Sequence, residues 1–198
     1  MMSYTYGIFI YDKVAALDFV GPSETFTVSN FLKGEGRVIT IAASTEPVTC
    51  LSGMRVIPDY NFENAPPVDV VLVPGTEGVD ELLAMDSAIA WVKSQAGQVK
   101  YMTAVCTGAL LLQKAGLLKN RKATTHWMLT EALAQDPSIE LMADMRYVCD
   151  GNIVTSQGIS AGIDMSLWLV GQLHSPAHAR EVRKLLQYDP APPYTAEV

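Results

Sequence analysis

Residues 100–112 read KYMTAVCTGALLL: an apolar strand pattern, Tyr101–Val105, runs straight into an apolar helix pattern that opens near Thr107 and stops at Gly116. A strand feeding a helix through one or two residues is the joint of a parallel βα unit, and repeated units of that kind build α/β folds. A second such joint lies upstream. VDVVLV (68–73) is a nearly continuous apolar run that ends in PGTEG (74–78), and strands of this composition are covered on both faces, as in parallel sheets.

Working outward, Tyr4–Ile10 and Val38–Ala43 read as further strands. A helix is expected from Gly21-Pro22 to about Leu32, since proline suits a first helical turn. Ser52-Gly53 and Asp150-Gly151 sit between short apolar runs and predict hairpins. Helical patterns cover 79–85, 88–96, 127–134 and 160–173, and Ser175-Pro176 supplies an N-cap and a first-turn proline for a last helix. The expected architecture is α/β: a three-layer sandwich with a mostly parallel central sheet and helices on both faces, in one domain spanning 1–198. Ligands in such folds sit beyond the carboxyl ends of the strands. Both the PGTEG turn and Cys106 fall there.

The composition narrows the function. The chain of 198 residues carries a net charge of −7 and no basic cluster, which disfavours nucleic acid and anionic membranes as partners. No signal peptide or membrane span is legible, and three cysteines at 50, 106 and 149 form neither a disulfide framework nor a CxxC pair. A cytoplasmic location follows as the expectation.

Cys106 stands at the strand-to-helix joint among small residues, Ala104, Thr107, Gly108 and Ala109. A nucleophile elbow needs that pattern, because bulky neighbours would keep the helix off the strand. The amides and dipole of a helix start would favour thiolate over thiol. A buried, space-filling cysteine fits the same position, and no histidine follows to form a contiguous dyad. Asp18, between Leu17 and Phe19, is expected at the same sheet edge; apolar burial and a neighbouring thiolate would both raise its pKa. It reads equally as a helix-capping aspartate before Gly21-Pro22. His174 and His178 have ligand spacing but no third ligand nearby, so no metal is expected. Cys50 and Cys149 read as structural, and Met128, Leu133 and Met145 as core or interface residues. Trp168, in an apolar helix, reads as packing against the sheet or a second subunit.

Four stretches, AALDFVGP (15–22), PGTEGV (74–79), AVCTGALLL (104–112) and KATTHW (122–127), together with GISAGID (158–164) and YDPAPPY (188–194), resemble the ThiJ/PfpI superfamily, whose fold is flavodoxin-like and class I glutamine amidotransferase-like. Within it the chain is most similar to the isonitrile (isocyanide) hydratase branch. The resemblance implies Cys106 as nucleophile and Asp18 as its carboxylic partner, no cofactor, a small-molecule substrate and a homodimer. It also implies hydro-lyase activity: isocyanide in, N-substituted formamide out. Thr107 stands where protease-like relatives carry histidine; it reads either as a hydrogen-bonding group for sulfur or substrate, or as a helix-start threonine. Gly75 and Thr76 are supporting candidates for an anion-binding pocket, with Thr76 where relatives commonly have a second glycine. His126 reads as a structural histidine near the elbow. Two alternatives share the cysteine: glyoxalase or deglycase chemistry, and redox sensing. Regulators carrying a similar domain add a DNA-reading helix-turn-helix region; no basic helix of that kind is legible here, so direct DNA regulation is not expected.

Overall fold

The computed structural model describes residues 3–190. In chain order the strands are β1 (Thr5–Phe9), β2 (Arg37–Ala42), β3 (Val48–Thr49), β4 (Arg55–Val56), β5 (Tyr60–Asn61), β6 (Val70–Val73), β7 (Tyr101–Val105), β8 (Lys122–Ala123), β9 (Glu140–Leu141), β10 (Tyr147–Asp150) and β11 (Ile153–Ser156). The helices are α1 (Ala16–Lys33), α2 (Val79–Leu83), α3 (Asp86–Gln95), α4 (Gly108–Lys114), α5 (Thr130–Ala134), α6 (Ala161–Leu173) and α7 (Pro176–Leu185).

Seven strands form one sheet in the order β10-β11-β7-β6-β1-β2-β5. Every pairing in it is parallel except β10 with β11. That exception is the hairpin expected at Asp150-Gly151, where Gly151 takes a φ of 63°. Helices α1, α6 and α7 pack together on one face, and α2 to α5 on the other. The three layers are those expected from the alternation of strands and helices. All four residues of β6 are buried, as a strand covered on both faces requires. Ile8, Phe9, Leu72, Met102, Leu111 and Val154 make the sheet core, and Tyr6 stacks on Phe26 at a ring distance of 4.1 Å.

The structure corrects the first helix. It begins at Ala16 rather than Gly21, so Pro22 lies inside it and Asp18 in its first turn. A proline at the seventh helical position removes the N–H that the Asp18 carbonyl would accept, a loss of about 3 kcal/mol that the packing of α1 against α6 offsets. Asp18 is therefore helical and makes no cap. At the other end of α1, Ser29 Oγ lies 2.9 Å from His178 Nε2 in a buried contact with α7. Ser175 caps α7 as expected, accepting the His178 N–H at 3.1 Å. Cys50 is buried but Cys149 is exposed on the edge strand β10, so only the first is a core residue. Met128 and Met145 are likewise exposed. Trp168 packs edge-on against Tyr101 and at a tilt to Tyr147. Among the described residues no helix is long and apolar enough to cross a membrane. Residues 191–194 of the YDPAPPY motif lie outside the described range.

Candidate active site

Two strand-to-helix turns lie side by side at the carboxyl edge of the sheet, one after β6 and one after β7, because those strands are neighbours. The turn after β7 carries Cys106 at a φ of 58°, in the left-handed region. An L-residue other than Asn or Asp rarely sits there, and holding it costs about 1–3 kcal/mol. The surroundings hold it. Cys106 N–H donates to the Ser156 carbonyl at 3.1 Å, and the Thr125 hydroxyl donates to the Cys106 carbonyl at 2.8 Å. The left-handed φ at a strand-to-helix turn is the backbone geometry that a nucleophile elbow requires.

The turn after β6 is pinned at successive peptides. The Tyr11 hydroxyl donates to the Pro74 carbonyl at 2.8 Å, and Gly75 N–H donates to Asp18 Oδ2 at 2.9 Å. Ala15 N–H holds the Gly75 carbonyl at 2.9 Å. Thr76 and Thr107 then clasp each other: Thr76 N–H donates to Thr107 Oγ1 at 2.8 Å, and that hydroxyl donates back to the Thr76 carbonyl at 2.8 Å. The two turns touch so closely that a Cβ on Gly75 would lie 2.6 Å from Thr107 N and 2.9 Å from Asp18 Oδ2. Thr76 is not among the residues at positive φ, so threonine replaces a second glycine here without strain.

These bonds correct the pocket expected from the sequence. The amides of Gly75 and Thr76 are not free for a substrate anion; one is committed to Asp18 and the other to Thr107. Thr107 Oγ1 also lies close enough to lower the thiol pKa. Its single proton, however, is taken by Thr76, so the Thr107 backbone N–H is the donor left for the sulfur.

Asp18 reaches the elbow from the first turn of α1, fully buried. Burial pushes its pKa up to about 6 against the opposing pull of the Gly75 N–H and the Cys106 thiol. Its Oδ1 is buried without a well-formed hydrogen bond, a costly state for a carboxylate oxygen that a proton relieves. The Cys106 thiol is pushed up to about 12, first by burial and then by the Asp18 carboxylate, with the Thr107 N–H pulling the other way. The Thr107 N–H at the helix start favours the thiolate, while burial and the Asp18 charge oppose it. Neighbouring acids lose their protons as a pair. From about pH 6 to 12 the Cys106–Asp18 pair therefore holds one proton and one negative charge. The arrangement can present a thiolate beside a carboxylic acid whenever that proton sits on Asp18.

Two further residues complete the site, Tyr11, which sequence reading passed over, and Gly158 of the GISAGID stretch. Tyr11 is buried, and its phenol is held far above its usual pKa by burial and by the Asp18 and Cys106 charges. Gly158 roofs the sulfur: a Cβ there would lie 2.7 Å from Cys106 Sγ and 2.9 Å from His126 Cδ2. Its place in GISAGID was legible, but its contact was not. Asp164, at the start of α6, is engaged by Arg146, which also donates to Ser160 Oγ at 3.1 Å. His126 Nδ1 accepts the Met128 N–H at 3.4 Å, a structural contact beside the elbow. Among the described residues no group of three or more metal-ligating side chains gathers.

Comparison with known proteins adds a third line. The family model described as DJ-1/PfpI family matches residues 7–172. Isonitrile hydratase of Pseudomonas putida is 36% identical over 193 residues, which cover 98% of this chain and 82% of that protein. The HTH-type transcriptional regulator GbdR of Pseudomonas aeruginosa is 28% identical over 92% of this chain, which spans 50% of the regulator's length. The crystal structure of a ThiJ/PfpI family protein from Pseudomonas syringae superposes with a TM-score of 0.90 at 32% identity, covering 100% of this chain and 80% of that one.

Proposed function

The chain belongs to the DJ-1/PfpI family, and from that premise we propose that it is a cofactor-independent isocyanide hydratase, a hydro-lyase that converts isocyanides and water to N-substituted formamides. One observation carries the reading: Cys106, at a φ of 58°, is paired with a buried Asp18 whose pKa is pushed up to about 6. Similarity to an isonitrile hydratase over 98% of the chain supports it.

In the proposed reaction the Cys106 thiolate attacks the terminal isocyanide carbon, forming a C–S bond. Asp18 delivers its proton to that carbon, giving a thioimidate. Water then adds across the C=N bond, hydroxyl to carbon and proton to nitrogen. The C–S bond breaks, the hydroxyl proton returns to Asp18, and the formamide leaves with thiolate and acid restored. Thr107 N–H faces the sulfur, while Thr107 Oγ1, Gly75 and Thr76 hold the frame. Turnover should rise with pH through about 6, because below that value both members of the pair are protonated and no nucleophile exists. The reading includes a homodimer in the cytoplasm; the exposed apolar side chains Leu17, Leu51 and Met54 around the α1 start and the β3–β4 hairpin support an interface there.

The test is formamide production from a panel of small alkyl and aryl isocyanides, with Cys106→Ala beside the wild type. Turnover that depends on Cys106 is expected. No formamide from any member of the panel overturns the reading. Methylglyoxal in parallel separates it from glyoxalase chemistry at the same sulfur, and peroxide titration of Cys106 without turnover of either substrate would point to a sensor.

A further inference from the structure

The Pro74 carbonyl and the Gly75 N–H are the two ends of one peptide unit. A trans peptide is planar, and its C=O and N–H point in opposite directions; none of the described peptide bonds is cis. Fixing one end therefore aims the other. The Tyr11 hydroxyl holds the carbonyl end at 2.8 Å, and the amide end meets Asp18 Oδ2 at 2.9 Å. We infer that Tyr11 is a positioning residue for the Cys106–Asp18 pair: through the 74–75 peptide it keeps an N–H donor on the Asp18 carboxylate and so sets the pH at which the pair gives up its first proton. The inference rests on the shared-proton reading of that pair in the proposed function.

The other groups around Asp18 do not substitute for this donor. From the β7–α4 turn comes the Cys106 sulfur, which carries the same sign of charge when ionised. From the 124–127 segment His126 approaches Cys106 across Gly158, with Nδ1 turned to Met128. From α6, Asp164 is engaged by Arg146. From the 76–81 stretch, Glu81 is paired with Lys13 at 2.7 Å on the surface. On α1 itself, Glu24 lines the outer groove beside Leu17 and Val20. Asp18 Oδ2 has the Gly75 amide, and its Oδ1 is without a well-formed hydrogen bond. Removing the Tyr11 hydroxyl leaves the Pro74 carbonyl without its buried donor and frees the peptide to turn, which brings a carbonyl rather than an N–H toward the carboxylate. A phenol held well above its usual pKa stays a donor throughout the working range.

The experiment follows Cys106 alkylation by iodoacetamide, read by mass spectrometry of the Cys106 peptide, across the acid-to-neutral range. The wild-type rate should rise with a midpoint at about 6, and Asp18→Asn should erase that limb. In Tyr11→Phe the midpoint should move up by about one unit, a tenfold change in acidity. A Tyr11→Phe profile that superimposes on wild type, or a limb that survives Asp18→Asn, overturns the inference. Should Tyr11→Phe not fold, 3-fluorotyrosine placed at position 11 alone keeps the shape and strengthens the donor; the midpoint should then fall, and an unmoved midpoint overturns the inference equally. A merely structural tyrosine would change melting and leave the midpoint in place. Because alkylation uses no isocyanide, a failure of the proposed substrate leaves this result readable.

Discussion

The two turns at the carboxyl edge of the sheet differ in where they keep their tension. The turn after β6 has none: Pro74, Gly75 and Thr76 each have their backbone groups taken by Tyr11, Asp18, Ala15 and Thr107. The turn after β7 keeps it on one residue, since Cys106 occupies the left-handed region and its thiol is buried against a carboxylate. In the proposed reaction the relaxed turn is the frame and the strained turn the reactive part. Strain of this kind persists only where neighbours over-determine it.

The sharpest way to break that contrast is to remove the reactive atom. Cys106→Ala should bring formamide production down to the uncatalysed background while the protein stays folded, with a modest fall in melting temperature at neutral pH because alanine removes a thiol that helps hold the buried Asp18 carboxylate. Residual turnover near the wild-type level in steady-state assays would move the chemistry elsewhere.

Asp18→Asn comes next and separates activity from stability. Asparagine cannot deliver the proton, so kcat should fall about 100-fold or more. Stability should go the other way. The native fold binds the Asp18 proton more tightly than the unfolded chain does, with a pKa of about 6 against the ordinary 3.8. The stability this group contributes is therefore fully present below about 3.8 and is lost as pH rises through about 6. At neutral pH the ionised group costs about 3 kcal/mol, and the asparagine variant escapes that cost. It should melt about 6–12 °C higher at pH 7, at about 2–4 °C per kcal/mol for a chain of this size, and the gap should close in acid. Equal melting temperatures at both pH values would contradict the buried, raised carboxyl.

Much of this frame was legible in the sequence because it depends on local pattern. VDVVLV declared a strand buried on both faces, and KYMTAVCTGALLL placed Cys106 at a joint where small neighbours let α4 approach β7. Other parts were hidden for physical reasons. Pro22 reads as a helix start by local preference, yet packing of α1 against α6 carries the helix through it. Tyr11, Gly158 and the Thr76–Thr107 clasp act across long stretches of chain, so neither periodicity nor spacing signals them. The helix-start argument for a thiolate weighs one local amide, and the burial and the Asp18 charge that act against it appear only in the folded chain.

Thr107 gives the smallest expected effect and the finest test of the division between the turns. Its hydroxyl both accepts from Thr76 N–H and donates to the Thr76 carbonyl, each at 2.8 Å in a buried setting. Thr107→Val keeps the volume and leaves both Thr76 groups unpaired, so the protein should lose about 1–3 kcal/mol in denaturant melts, with Thr107→Ser restoring most of it. If the hydroxyl instead served the sulfur, valine would raise the thiol pKa and shift the midpoint of Cys106 alkylation. The geometry gives that service to the Thr107 backbone N–H, which valine retains, and Tyr11 still aims the Gly75 amide at Asp18. The midpoint should therefore stay where it is while the melting curve moves. A shifted midpoint at unchanged stability would transfer Thr107 from the frame to the reacting pair.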